Sequence, residues 1–292
     1  MISEMKKLAL ATALVALPHS CPVLAQERSG PALWKVADED TTIYLFGTIH
    51  ILPRDIEWFG GEIEEAFTTS QQFVTEVDMD EAANIQPQDI LPRASLPEGQ
   101  TLRALMNEVD RSEYESGLQQ LGLPAQAFDR FEPWFATMNL NTMLPLRAGY
   151  EVNSGADIVL TGMATGKQMS TLETLDFQMD RFDGIELDKQ LDMLDRTIGW
   201  LPQSKEYLDR LVFYWLQGDA DAIAVIVNWN FNDPTIYDRL VSDRNANWAE
   251  WIDERLDQPG TVFMAVGAGH LAGLGSVQEH LAERGISTTR LR

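Results

Sequence analysis

The chain is short of the side chains that most often carry chemistry. Its 292 residues hold one cysteine and four histidines. The cysteine, Cys21, falls within an amino-terminal segment that reads as a secretory leader, so the expected mature chain of residues 26–292 has none. That excludes disulfides, a cysteine nucleophile and thiolate metal ligands. Basic residues are also scarce: 22 Lys and Arg stand against 45 Asp and Glu, a net charge of −23. Such an imbalance argues against nucleic acid or an anionic membrane surface as a partner, and suits cations or basic peptides. Beyond the leader, no apolar run is long enough to span a bilayer. The nearest candidate, Ala220–Val227, is short and interrupted by Asp221. Three catalytic signatures are missing as well. There is no Gly-x-Ser-x-Gly, no His-Glu-x-x-His and no Walker loop.

The leader follows from Lys6 and Lys7, the apolar run Leu8–Leu17, and Val23-Leu24-Ala25 before a cleavage expected after Ala25. Pro18-His19-Ser20 lacks the aliphatic residue that lipid attachment at Cys21 would require. The protein is therefore expected to be exported, to the periplasm or beyond the cell. With 45% hydrophobic residues, what remains can bury a substantial core.

What is present is organised around Thr41–Leu52, TTIYLFGTIHIL, and its near-echo Thr261–Ala272, TVFMAVGAGHLA. Each reads as a short buried strand ended by a glycine, with a histidine three residues on. One such unit is an ordinary strand with a loop histidine. Two with the same spacing put His50 and His270 past the carboxyl ends of core strands, where α/β sheets gather ligands. A duplication is conceivable from this echo and is not established by it.

Between these units the pattern predicts strands at Leu33–Ala37, Phe73–Val77 and Gln168–Leu172, and a terminal strand at Ile286–Leu291. Helices are expected from Pro53 through Phe67, with Gly60-Gly61 as a defect in the middle, and over Leu102–Leu121, Pro124–Leu146 and Ala156–Ala164. Further helices are expected at Leu175–Phe182, Ile185–Ile198, Lys205–Gln217, Tyr237–Leu256 and Val277–Arg284. Asp80–Gly99 reads as a polar loop, and Trp229, Phe231 and Pro234 as another. The expected architecture is α/β: a central, mostly parallel sheet flanked by helices, with a large helical insertion, in one domain.

Glu76 and Glu173 end two of the predicted strands, as His50 and His270 end two others. If the four strands run parallel in one sheet, these side chains converge. Two imidazoles with one or two carboxylates form the ligand set of a catalytic divalent-metal site with a position left for water. Such an ion brings hydroxide within reach of neutral pH and polarises a carbonyl, and a carboxylate not used as ligand can act as base. Taken singly, Glu76 could be a solvated strand end and Glu173 a helix cap. Arg244 and Asn245 sit on the apolar stripe of Val241, Trp248 and Ile252. A guanidinium there must be paired, either in a structural salt bridge or as the brace of a site carboxylate or oxyanion. His280 is expected on a surface helix.

Several of these stretches resemble the TraB/GumN family: Trp34-Lys35-Val36, Thr42–His50, the Glu76 strand and Ala156-Asp157. Lys167, Leu172-Glu173-Thr174 with Gln178, Asp243-Arg244-Asn245 with Trp248, and Val266–Leu271 with Gly273 continue the likeness in order. The resemblance places the chain with the Tiki metalloproteases, and more distantly with erythromycin-esterase and ChaN-like folds. It implies a hydrolase that uses a divalent metal (Mn²⁺, Co²⁺ or Zn²⁺, which these ligand types do not separate) and acts on a peptide or protein. His50 and His270 match the motif histidines and Glu76 the strand glutamate. Glu173, Arg244 and Asn245 match further family positions, so Glu173 is a fourth candidate ligand, and Glu76, Arg244 and Asn245 are candidate catalytic groups. Two other readings stand beside it: a metal-free hydrolase with histidine as base, and a protein that binds and sequesters peptides, as a TraB relative limits a peptide pheromone. The GumN name, from a polysaccharide gene cluster, also leaves open a purely structural role as an exopolysaccharide accessory.

Overall fold

The computed structural model describes residues 30–228, 231 and 233–292. The expected leader and Trp229 lie outside them. Strands β1 (Leu33–Ala37), β2 (Thr41–Thr48), β4 (Gln72–Thr75), β6 (Gln168–Thr171), β7 (Gly260–Gly267) and β8 (Thr289–Arg290) form one sheet in the order β6-β4-β7-β2-β1-β8. β6, β4, β7 and β2 are mutually parallel, and β1 and β8 complete one edge antiparallel. A separate two-stranded ribbon pairs β3 (Leu52–Pro53) with β5 (Tyr150–Glu151). The fold is thus the expected α/β arrangement, with a mostly parallel sheet flanked by helices.

The two echo strands lie side by side, but not in the phase of their sequences. Thr41 pairs with Gly260 and Thr48 with Gly267, so Gly47 faces Val266 rather than Gly267. A one-residue offset sends equivalent positions to opposite sheet faces. One face packs Phe46, Phe73, Phe263, Phe67 and Trp215. The other packs Ile43, Leu45, Val74, Met264 and Ile252. Phe46, Phe73 and Phe263 are wholly buried, and truncating any one to alanine should cost about 3–5 kcal/mol.

Several boundaries differ from the sequence expectation for identifiable reasons. The helix expected from Pro53 begins at Glu62, so Gly60-Gly61 precede it rather than interrupt it. This removes the cost of two glycines from a helix interior. The expected loop after Asp80 is largely helical, at Met79–Asn84 and Pro87–Ala94. Asp78 caps the first helix by accepting from the N–H groups of Asp80 and Glu81, and Pro87 opens the second at the position where its missing N–H is harmless. The helix expected at Leu102 divides into a short 3-10 turn, Leu102–Leu105, and Glu108–Gln120 capped by Asn107. The next one starts at Pro133 rather than Pro124. The last strand shrinks to Thr289–Arg290.

Glu108–Gln120, Pro133–Arg147 and Leu187–Gly199 pack around a core of their own, which includes Leu118, Leu140 and Leu194. This helical region lies between strands in sequence and leaves the parallel strand ends on the sheet to carry polar groups.

Candidate functional site

Because β6, β4, β7 and β2 run parallel, their carboxyl ends share one rim. Glu76 follows β4 directly. Glu173 follows β6, its N–H bonded to the Glu76 carbonyl at 2.9 Å, so the ladder continues one step beyond the strands. His50 follows β2, and a 3-10 turn, Ala268–His270, carries His270 just past β7. Gly267 stands between them. A Cβ on it would lie 3.2 Å from Glu76 Oε1, 3.5 Å from the His270 ring and 3.6 Å from His50 Nε2. Three polar side chains therefore crowd the space that a side chain at 267 would fill.

Each histidine is fastened from behind. His50 Nδ1 is 3.0 Å from Asp157 Oδ2, and His270 Nδ1 is 2.6 Å from Asn245 Oδ1. Asn245 is fully buried and directs its own NH₂ to the Gly275 carbonyl at 2.8 Å, so its oxygen is the atom left to accept. These acceptors hold the ring proton on Nδ1 and turn both Nε2 atoms towards the cleft. The start of the helix Ala156–Met163 lies close to His50. The Ala156 N–H bonds the Ile49 carbonyl at 3.0 Å, and a Cβ on Gly155 would come within 2.1 Å of the His50 carbonyl oxygen. Glycine is required there, and it delivers Asp157.

The helix Asp243–Leu256 supplies the cation. A π-turn, Asp238–Ser242, precedes it and joins it to the turn Pro234–Tyr237, so the helix expected from Tyr237 to Leu256 is not continuous. Arg244 NH2 lies 2.7 Å from Glu76 and 2.9 Å from Glu173, and NH1 lies 3.2 Å from His270 Nε2. Glu173 also accepts from Arg244 Nε at 3.0 Å, Trp248 Nε1 at 3.0 Å and Gln178 Nε2 at 3.1 Å. A carboxylate has about four acceptor positions, and those of Glu173 are taken. Glu76 accepts from Arg244, from Gln178 at 3.1 Å and from the Gly267 N–H at 2.6 Å.

These surroundings set the protonation states. For His50, burial opposes protonation, but the charge and hydrogen bond of Asp157 and the charge of Glu76 outweigh it and raise its pKa to about 9. Its side chain is 60% accessible, so solvent screens part of that attraction. For His270, burial and the Arg244 charge depress the pKa to about 3, and the ring is neutral at ordinary pH. For Glu76, burial pushes the pKa up, while the charge of Arg244 pulls it well below the usual carboxylate range.

A cavity of about 410 Å³ opens beside these groups. His50, Glu76, Gln178, Arg244 and His270 line one side, and Met138, Phe182, Leu211, Val227, Phe231 and Leu240 the apolar remainder.

The six residues singled out from the sequence thus stand together, in unequal positions. His50, His270, Glu76 and Arg244 line the cavity. Glu173 lies behind Arg244 and Asn245 behind His270. Asp157, Gln178 and the Trp248 indole N–H were assigned no role from sequence, although all three lie in the stretches that carry the family resemblance. His280 is on the helix Val277–Glu283 and bonds Ser242 at 3.1 Å, away from the cavity lining.

The family model for TraB/PrgY/gumN matches residues 32–290. The chain belongs to the TraB/PrgY/gumN family. No curated protein and no solved structure matches it. Among the described residues of this TraB/PrgY/gumN chain, no three His, Cys, Asp or Glu side chains form a group arranged to hold a metal ion. Its donor types and charges nevertheless suit one. Glu76, Glu173 and Asp157 are 4–13% exposed; Arg244 pairs with the first two and His50 with the third, so the cluster has negative charge to spare. A proton on His50 offsets half of that excess, and a divalent cation would offset all of it. The cavity-facing donors are His50 Nε2, His270 Nε2 and Glu76. Glu173 does not fit, because no acceptor position is left on it, and His270 Nε2 would have to exchange its contact with Arg244 for the ion. Among the described residues no helix is long and apolar enough to cross a membrane.

Proposed function

We propose that this chain is an exported hydrolase that cleaves peptide bonds, with a divalent ion held by His50, His270 and Glu76. The observation that carries this reading is the pair of imidazoles that meet Glu76 around Gly267, each fastened at Nδ1, beside surplus buried negative charge. When bound, the ion supplies a Lewis acid for the carbonyl and an activated water. The chain's own residues do the rest. Asp157 and Asn245 hold the two rings in the tautomer that presents Nε2. Glu173, Trp248 and Gln178 fix Arg244, whose guanidinium is placed to steady negative charge developing on the carbonyl oxygen. Glu76, kept ionised by its neighbours, completes the ligand set.

The test measures bound metal and peptide cleavage in the wild type, His50→Ala and His270→Ala. Loss of both metal and cleavage in the two variants is expected. Equal loading and equal cleavage in all three would overturn the reading.

One observation favours a metal-free version of the same hydrolase. Arg244 already places a cation 3.2 Å from His270 Nε2. In that version water attacks the carbonyl and gives its proton to a histidine acting as base, which passes it to the leaving amine, and activity survives exhaustive chelation.

A further inference from the structure

The hydrolase reading leaves unexplained a second arginine in the cavity wall. Arg181 lies on the helix Leu175–Asp183, one turn beyond Gln178, the residue that bonds both Glu76 and Glu173 at 3.1 Å. Its side chain is 19% exposed, and its guanidinium stacks 4.9 Å from the Phe177 ring. It forms an ion pair with Asp243, at 3.5 Å, and that aspartate is 55% exposed. Its Nε is shut off from solvent and has no hydrogen-bond partner. A buried N–H without a partner is costly, and is a natural place for a ligand oxygen. Arg244, the other cavity arginine, is committed to Glu76 and Glu173. Asn228, also in the wall, has a buried side-chain oxygen with no partner. Where the rest of the wall beyond the histidine cluster is apolar, a few polar groups of this kind determine how a ligand lies.

We propose that Arg181 binds the free carboxylate of a peptide whose last, apolar side chain fills the cavity, so that the site trims chains from the carboxyl end. This rests on the hydrolase reading above and adds the substrate class to it. Arg181 lines the same cavity as His50 and His270, so a carboxylate held there sets the scissile bond close to the chain end. Asn228 offers its oxygen to the N–H of the same residue. In the reaction one water is consumed, the C–N bond breaks, the acyl part becomes a new carboxylate, and the released apolar residue leaves with a free amine. In a chain of net charge −23, a fixed cation in the cavity also offsets the repulsion that an anionic ligand would meet.

The test compares binding of N-acetyl-leucine and N-acetyl-leucinamide by calorimetry, in the wild type and in Arg181→Gln. The wild type is expected to prefer the acid by about tenfold or more, as a charge-assisted contact should give, and the variant to bind both alike. Equal binding by the wild type overturns the proposal without any variant, so a poorly folded variant cannot shelter it. Preference retained by a folded Arg181→Gln also overturns it. Binding is read without turnover, so the two readings fail separately. Cleavage of internal peptide bonds with no preference for the acid removes this proposal and leaves a hydrolase. Preference for the acid with no cleavage of any peptide does the reverse.

Discussion

Arg244 on the sheet rim and Arg103 in the helical region each sit between a pair of carboxylates. Arg244 lies 2.7 Å from Glu76 and 2.9 Å from Glu173, with side chains 11%, 13% and 4% exposed. Arg103 lies 2.7 Å from Asp129 and 2.8 Å from Glu115, with side chains 22%, 14% and 34% exposed. By distance alone the two groups are the same device. They differ in depth and in what borders them. Glu115 is shared with Arg111 at 3.0 Å on an open helix face, whereas Arg244 touches a neutral imidazole and a cavity wall. An arginine between two acids is therefore no sign of function by itself. The histidine beside it is.

The largest expected effect comes from removing the buried member. Arg244→Ala strands two carboxylates with little access to water and should cost about 3–5 kcal/mol in urea unfolding. Glu173→Gln added to it should recover part of that loss, because one stranded charge disappears. If Arg244→Ala unfolds as the wild type does, the rim group is not the buried ion cluster described here.

Next comes the support behind His270. Asn245→Ala leaves the His270 Nδ1–H and the Gly275 carbonyl without their partner in a fully buried position. The expected loss is about 1–3 kcal/mol, with a larger relative loss of any hydrolysis, since the ring is then free to turn. Restored hydrolysis in Asn245→Asp, which keeps an acceptor for Nδ1, would separate ring positioning from mere packing.

How much of this was legible in the sequence depends on whether a contact is local. The histidines were legible because a strand, a glycine and a histidine are consecutive, and the parallel sheet then brings their ends together. Arg244 was legible as a charge on an apolar helix stripe. Asn245 shares that stripe, but its direction, to the back of His270 rather than to the cavity, depends on the turn after β7. Asp157 reaches His50 only because Gly155 lets a distant helix meet the backbone at Ile49 and His50. No spacing in the chain announces that. Asp80–Gly99 looked like a loop because its prolines and acids are breakers in a helix interior. Asp78 is favourable and Pro87 harmless at the helix starts where they lie, while Pro92 stands inside the helix Pro87–Ala94.

A smaller effect is expected at Asp157, read by pH. With a folded-state pKa raised from 6.5 to about 9, His50 contributes stability that is complete below about 6.5 and lost as pH rises through about 9. Asp157→Asn keeps an acceptor for Nδ1 but removes the charge, so the midpoint should fall towards 6.5. Proton NMR of the His50 ring in chelator-treated protein measures it. An unmoved midpoint would assign the shift to Glu76 instead.

Arg103→Ala should give the smallest change and the sharpest contrast. Glu115 keeps Arg111 and is 34% exposed, so Asp129 alone loses its arginine, whereas Arg244→Ala strands two acids. Partly exposed pairs contribute little, and a fall of about 2–4 °C in melting temperature is expected. Ligand binding and hydrolysis should not move, because Arg103 is absent from the lining of the cavity beside His50 and His270. If Arg103→Ala instead matches Arg244→Ala in stability loss, burial does not separate the two groups. If it matches in loss of hydrolysis, the helical region takes part in the site, and the chemistry cannot be confined to the strand ends.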